Sequence, residues 1–139
     1  MNGRAFLVVA NEVISGSTEA HWRAASELAY YALLQEALAA LEQWGFPRPP
    51  HTQIHAYVRQ RFSFPQDFDV KKIGYAIEEL GLLRNHAHYQ LNRPGKFATS
   101  TEAARTITKA EERIDLLDEV DGDPARRAAA ISSIRAAFP

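Results

Sequence analysis

Arg84 and His88, four residues apart in the segment LRNHAHYQL, are the pair in this sequence best suited to chemistry on a phosphate. A guanidinium stabilises charge developing on phosphate oxygens, and an imidazole with an ordinary pKa of about 6.5 gives or takes a proton near neutral pH. At about 100° per helical residue, Arg84 and His88 fall about 20° either side of Ile77, on the apolar stripe of Val70, Ile73, Leu80 and Leu91. A buried guanidinium is costly unless its donors are satisfied. The pair therefore reads either as an interhelical hydrogen-bond network or as part of a site that uses it. Asn85 lies beside Arg84 and is placed to orient a substrate or His88. Gly74 and Gly81 share the side of Asn85 and leave room for another helix, as a groove or a subunit contact. His86 points the opposite way, beside Tyr75, and cannot serve the same site.

A second basic stripe, His51, His55 and Arg59, also recurs every four residues. Two histidines at this spacing need a third ligand to hold a metal, and none is indicated. The stripe reads instead as an exposed edge, with His55 and Arg59 as phosphate contacts and no metal or cofactor. Tyr30 and Tyr31 could stack on bases, but beside Ala29 and Leu33 they read as core or subunit-contact residues. The acidic run through Glu111, Glu112, Asp115, Asp118 and Glu119 reads as a solvated helix face. Arg126 and Arg127 read as an ordinary exposed pair.

Helices must position these residues, since the sequence follows the helical period, is rich in Ala, Leu and Glu, and shows no strand pattern. The first helix is expected over about 3–14, ending at Ser15-Gly16-Ser17. The second opens at Ser17 or Thr18 and runs through Trp44 to the Gly45 and Pro47 stop, with Ala25, Leu28, Ala29, Ala32, Leu33, Ala37, Leu41 and Trp44 in a broad apolar stripe. Ile54, Val58 and Phe62 mark a third over about 52–62. A fourth, capped by Asp69, spans about 70–89, and Asn92-Arg93-Pro94-Gly95 breaks the chain. A fifth starts at Ser100 or Thr101 and reaches Val120, and Asp123-Pro124 starts a sixth that ends near Phe138. The fold class is all-α: an up-and-down bundle of about six helices in a single domain, 1–139.

The 139 residues are 46% hydrophobic and 24% charged, which excludes disorder and fibrous repeats. No cysteine is present, which rules out disulfide scaffolds, thiol catalysis and cysteine-held metals. The apolar run near the start is too short for a signal-peptide core or a membrane span, so a cytoplasmic protein without membrane contact is expected. The net charge of −1 argues against a generic nucleic-acid coat. Residues 48–96, however, hold eight basic and four acidic side chains, a net +4, against eight and thirteen, −5, elsewhere. A polyanion would meet that middle.

The segment AHWRAASELAYYALLQEALAAL resembles the long second helix of HEPN-superfamily proteins, with Arg23, Ala29, Tyr30, Tyr31 and Ala32 matching its Arg and Ala-Tyr-Tyr-Ala pattern. FLVVANEVISG resembles the family's opening helix, and Arg84, Asn85 and His88 correspond to its Arg, adjacent polar residue and downstream His. The segment is most similar to a subgroup with an Arg-x-x-Ala-Asp-Tyr-like motif, matched by Arg84, Ala87 and Tyr89, with His88 in place of the Asp. The Arg to His spacing is shorter than in active members, and Leu28 stands where the family carries an Arg. The resemblance implies an up-and-down bundle, a homodimer formed around the motif, and an RNA-associated function. It further implies a metal-independent endoribonuclease of a toxin–antitoxin or defence and stress system, acting with a cognate protein partner. Arg84 and His88 would be catalytic, and a ribose 2′-hydroxyl would attack the neighbouring phosphate. The alternative is a non-catalytic dimerisation or protein-interaction module in which Arg84 and His88 stabilise the assembly.

Overall fold

Capping residues and breakers divide the chain into helices at close to the expected points. The computed structural model describes residues 2–139, and among them the regular elements are all helical. They are α1 (Arg4–Val13), α2 (Glu19–Gln43), α3 (Ile54–Ser63), α4 (Phe68–Tyr89), α5 (Thr101–Gly122) and α6 (Pro124–Ala137). Short 3-10 turns cover His51–Gln53 and Gly95–Phe97. The Thr18 hydroxyl caps α2 by accepting from the His21 N–H, and Asp123 caps α6 by accepting from Ala125 and Arg126, with Pro124 in the first turn. Gly45, at φ 91°, ends α2. There the Phe46 N–H reaches the Leu41 carbonyl and the Gly45 N–H that of Glu42, the paired bonds of a left-handed helix stop.

The start of α4 differs from expectation. It opens at Phe68, and its cap is Asp67, whose side chain accepts from the Val70 N–H at 3.0 Å. Asp69 lies inside the first turn and pairs with Arg126 at 2.9 Å. Arg126 also approaches Glu119, so it ties α6 to the start of α4 instead of standing free. Ser100 precedes α5 without a side-chain cap bond.

α2 is the spine of the bundle. It packs against α1, α4 and α5, while α3 lies on α4 and α6 on α5. Surrounded in this way, α2 buries Tyr30, Leu34, Leu38 and Ala40 in addition to its expected stripe, of which Leu28 is half-buried. Ile54, Val58 and Phe62 of α3 and Ile107, Ile114 and Leu117 of α5 join the same continuous core.

The buried seam of α4 runs through Ile73, Ala76, Leu80, Leu83 and Ala87, alternating steps of three and four. Val70, Gly74 and Ile77 are also buried in its first half, so the buried side turns along the helix as its packing partners change. This corrects the expectation that Arg84 and His88 share the buried face. Arg84 lies on the flank of the seam and is half-buried, while His88 falls one residue past Ala87 and is exposed. Leu91 follows the end of the helix at Tyr89 and is also exposed.

Arg23 joins the two ends of this arrangement. Its guanidinium is buried and donates from Nη1 to the carbonyls of His86 (2.9 Å) and Ala87 (3.0 Å). From Nη2 it donates to those of Gln90 (3.2 Å) and Arg93 (2.9 Å). Glu19, one turn earlier on α2, accepts from Nε at 2.8 Å and supplies the counter-charge. The last carbonyls of a helix have no partner within it. Here one arginine from α2 reaches two of the last four of α4, those of His86 and Ala87, and fixes the following turn, with the Phe97 ring 5.1 Å from its centre.

Candidate anion-binding cleft

A cleft of about 550 Å³ opens between α3 and α4 and is backed by Tyr30 of α2. The helix α3 contributes His55 and Arg59, both exposed on the flank of its buried Ile54, Val58 and Phe62. From α4 come Gly81, Arg84 and Asn85, together with Glu78 as the acidic residue of the lining. Four expected site residues, Arg84, Asn85, His55 and Arg59, therefore meet in one place. The fifth does not line the cleft. The His88 Nδ1 lies 2.9 Å from Glu27 Oε1 of α2, and its ring packs edge-on against Tyr89. His51 precedes α3 in a 3-10 turn and is exposed. His86 packs against Phe97 and bonds the Arg93 carbonyl, away from the cleft as expected.

Arg84 is held by uncharged groups. Its Nη2 donates to the Tyr31 hydroxyl at 2.7 Å and its Nη1 to Asn85 Oδ1 at 3.3 Å, while the buried Nε has no partner. Among the described residues, no carboxylate lies within ion-pair distance of Arg84 or of Arg59. Burial alone works against the Arg84 charge. The hydrogen bond to Tyr31 and the nearby phenols of Tyr31, Tyr89 and Tyr30 outweigh it and leave the pKa above the usual value.

The paired tyrosines of α2 serve two purposes at once. Tyr30 is buried and Tyr31 half-buried, as their place beside Ala29 and Leu33 requires. Their hydroxyls reach past the apolar rim in different directions, Tyr31 to Arg84 and Tyr30 to the His55 Nδ1 at 2.7 Å. Burial pushes the Tyr30 phenol up to about 12, against the pull of Arg84 and Arg59, so it keeps its proton. Burial also lowers the pKa of His55, and the positive charges of Arg84, His51 and Arg59 act in the same direction. His55 is thus neutral at neutral pH, in a site whose fixed charge comes from two arginines and Glu78.

The hydroxyl contacts were missed in the sequence because adjacent tyrosines on a core helix satisfy the apolar pattern by themselves. The available signal was Gly81 of α4, whose missing side chain leaves room for the Tyr30 ring. Compared with protein-family models, curated proteins and solved structures, the chain matches none.

Proposed function

We propose that this cleft binds the phosphodiester backbone of RNA, and that the chain is a HEPN-like RNA-associated protein of a toxin–antitoxin or defence system. The observation that supports it is Arg84: a guanidinium without a carboxylate partner, with an unfilled Nε–H, on the wall of a cleft that also carries Arg59 and Asn85. A guanidinium without a carboxylate partner lacks a counter-charge, and a phosphate in the cleft supplies it. The ligand class comes from the resemblance of the α2 and α4 segments to HEPN proteins, and metal-independent cleavage is the activity that resemblance adds. In the test, fluorescence anisotropy of end-labelled RNA is measured with the wild type and Arg84→Ala. Loss of a charge-assisted bond worth about 1.5–3 kcal/mol lowers affinity roughly tenfold to a hundredfold, with the helical circular-dichroism signal retained. Equal affinity in the variant would sink the proposal.

A specific observation also favours self-association. Phe68, Tyr75, Leu82 and Tyr89 lie seven residues apart along one line of α4 and are 77%, 56%, 72% and 68% exposed. At about 150–250 Å² for a large side chain, this stripe offers roughly 500 Å² per copy. Two copies facing each other would then bury about 1,000 Å², the lower bound of a specific interface. The proposed occupant is a second copy of this chain, paired through a side of α4 that faces away from Arg84, unlike the motif-centred dimer implied by the resemblance.

A further inference from the structure

The seat of proton transfer is the point at which this structure departs from the motif-based expectation. His88 is engaged with Glu27 and lies outside the lining of the cleft that holds Arg84. His55 lines that cleft from a different helix, 30 residues or so earlier in the chain by its number. Its Nδ1 is fixed by Tyr30, and among the described residues its Nε2 has no hydrogen-bond partner. With the proton of His55 on Nδ1, the Tyr30 oxygen accepts it across this 2.7 Å contact, and this is the tautomer that proton abstraction at Nε2 requires. That tautomer leaves the lone pair on Nε2, as the orienting partner of a catalytic histidine must do.

Resting on the RNA reading of the cleft, we infer that His55 is the general base of a metal-independent RNA cleavage there, with Tyr30 as its positioning residue and Arg84 as the stabiliser of phosphate charge. In this step His55 Nε2 takes the proton of a ribose 2′-hydroxyl. The O2′–P bond forms and the P–O5′ bond breaks, giving a 2′,3′-cyclic phosphate. The leaving O5′ receives the same proton, from the imidazolium or through solvent water, so no other reactant is required. Arg84, 2.7 Å from Tyr31, is held in place to meet the charge on the non-bridging oxygens as it grows.

The surroundings of His55 suit a base at neutral pH. Tyr30 and Tyr31 face it from α2, the Tyr31 ring edge-on at 6.1 Å. His51 and Arg59 flank it along its own segment, and Arg84 and Glu78 line the cleft from α4. Burial and the two guanidiniums of Arg84 and Arg59 disfavour the imidazolium, so the neutral form persists to lower pH than for an ordinary histidine. Cleavage falls only as pH drops through this lowered pKa. Removing one of the cations moves the acid limb of the rate profile to higher pH.

The experiment combines RNA binding with analysis of cyclic-phosphate products in chelator, using the full chain. His55→Gln retains a group able to bond Tyr30 but cannot take a proton. It is expected to lower cleavage by about a hundredfold or more, a loss in kcat beyond any change in RNA affinity, with circular dichroism unchanged. Arg59→Gln is expected to shift the acid limb upward, a response that a merely structural His55 would not give. Tyr30→Phe retains the ring and tests the positioning bond through kcat at unchanged affinity. Cleavage unaffected by His55→Gln, or abolished by His88→Ala with His55→Gln active, overturns the assignment. Wild-type protein that binds RNA without forming cyclic phosphate overturns it while the binding proposal stands, and wild-type protein that binds no RNA overturns both.

Discussion

Gly74 and Gly81 lie one heptad apart on α4, and the same substitution at each is expected to act with opposite sign. A Cβ added at Gly74 would stand 2.4 Å from the Phe62 carbonyl carbon and 2.5 Å from both the Phe62 oxygen and the Ser63 nitrogen. At Gly81 it would meet only the Tyr30 ring, at 3.4 Å, an ordinary contact. Replacing Gly by Ala inside a helix gains about 1 kcal/mol at both sites. At Gly74 the obstacle is the backbone of α3, which would have to retreat by about 1 Å. Overpacking of a filled interior costs about 1–3 kcal/mol, and a backbone obstacle places this case at the upper end. Gly74→Ala is therefore expected to lose about 2 kcal/mol net, whereas Gly81→Ala gains about 1 kcal/mol. At about 4 °C per kcal/mol for a chain of this size, Tm falls by about 8 °C in the first variant and rises by about 4 °C in the second. Calorimetry of both variants alongside the wild type reads the difference. A Gly74→Ala protein as stable as the wild type would refute the close approach of α3 to α4 that shapes the cleft.

Arg23→Ala is expected to cost about 3–5 kcal/mol, as for a buried charge partner removed from its acceptors. Urea unfolding gives the total, and hydrogen exchange should rise first at 86–97, where the guanidinium bonds are lost; uniform exchange across the chain would count against a local role for Arg23. Tyr75→Glu, at the middle of the exposed stripe on α4, is expected to convert a dimer to a monomer in sedimentation velocity without loss of helix. A wild-type protein that is monomeric at every concentration would remove the proposed pairing.

The helices were legible because their signals are local. Thr18, Asp123-Pro124, Gly45 and the apolar stripes of α2 and α3 act through neighbours a turn or two away, and the structure uses each as expected. The start of α4 was less legible because Asp67 and Asp69 are chemically alike, and only the partner on α6, Arg126, decides which one caps. The candidate site divides along the same line. Arg84, Asn85, His55 and Arg59 could be picked by type and spacing, but their meeting in one cleft depends on the packing of α3 on α4. The separation of His88 from the lining follows from the change of buried side between Ile77 and Ala87, which is set by the helices packed against α4 and not by its own period. Arg23 showed only a motif position in the sequence. Its four carbonyl acceptors lie 63 to 70 residues away, beyond the reach of any periodicity.

The seven-residue periodicity of α4 also limits how its length can vary. Its buried seam passes through Ile73, Leu80 and Ala87, and its exposed stripe through Phe68, Tyr75, Leu82 and Tyr89. Both have the same period, so one inserted or deleted residue near the middle of the helix turns everything beyond it by about 100°. Leu83 and Ala87 would leave the core, Arg84 would leave the cleft, and the outer stripe would split into two offset halves. Whole heptads preserve all three alignments, whereas the connections at 14–18 and 90–94 can change length without rotating any of them.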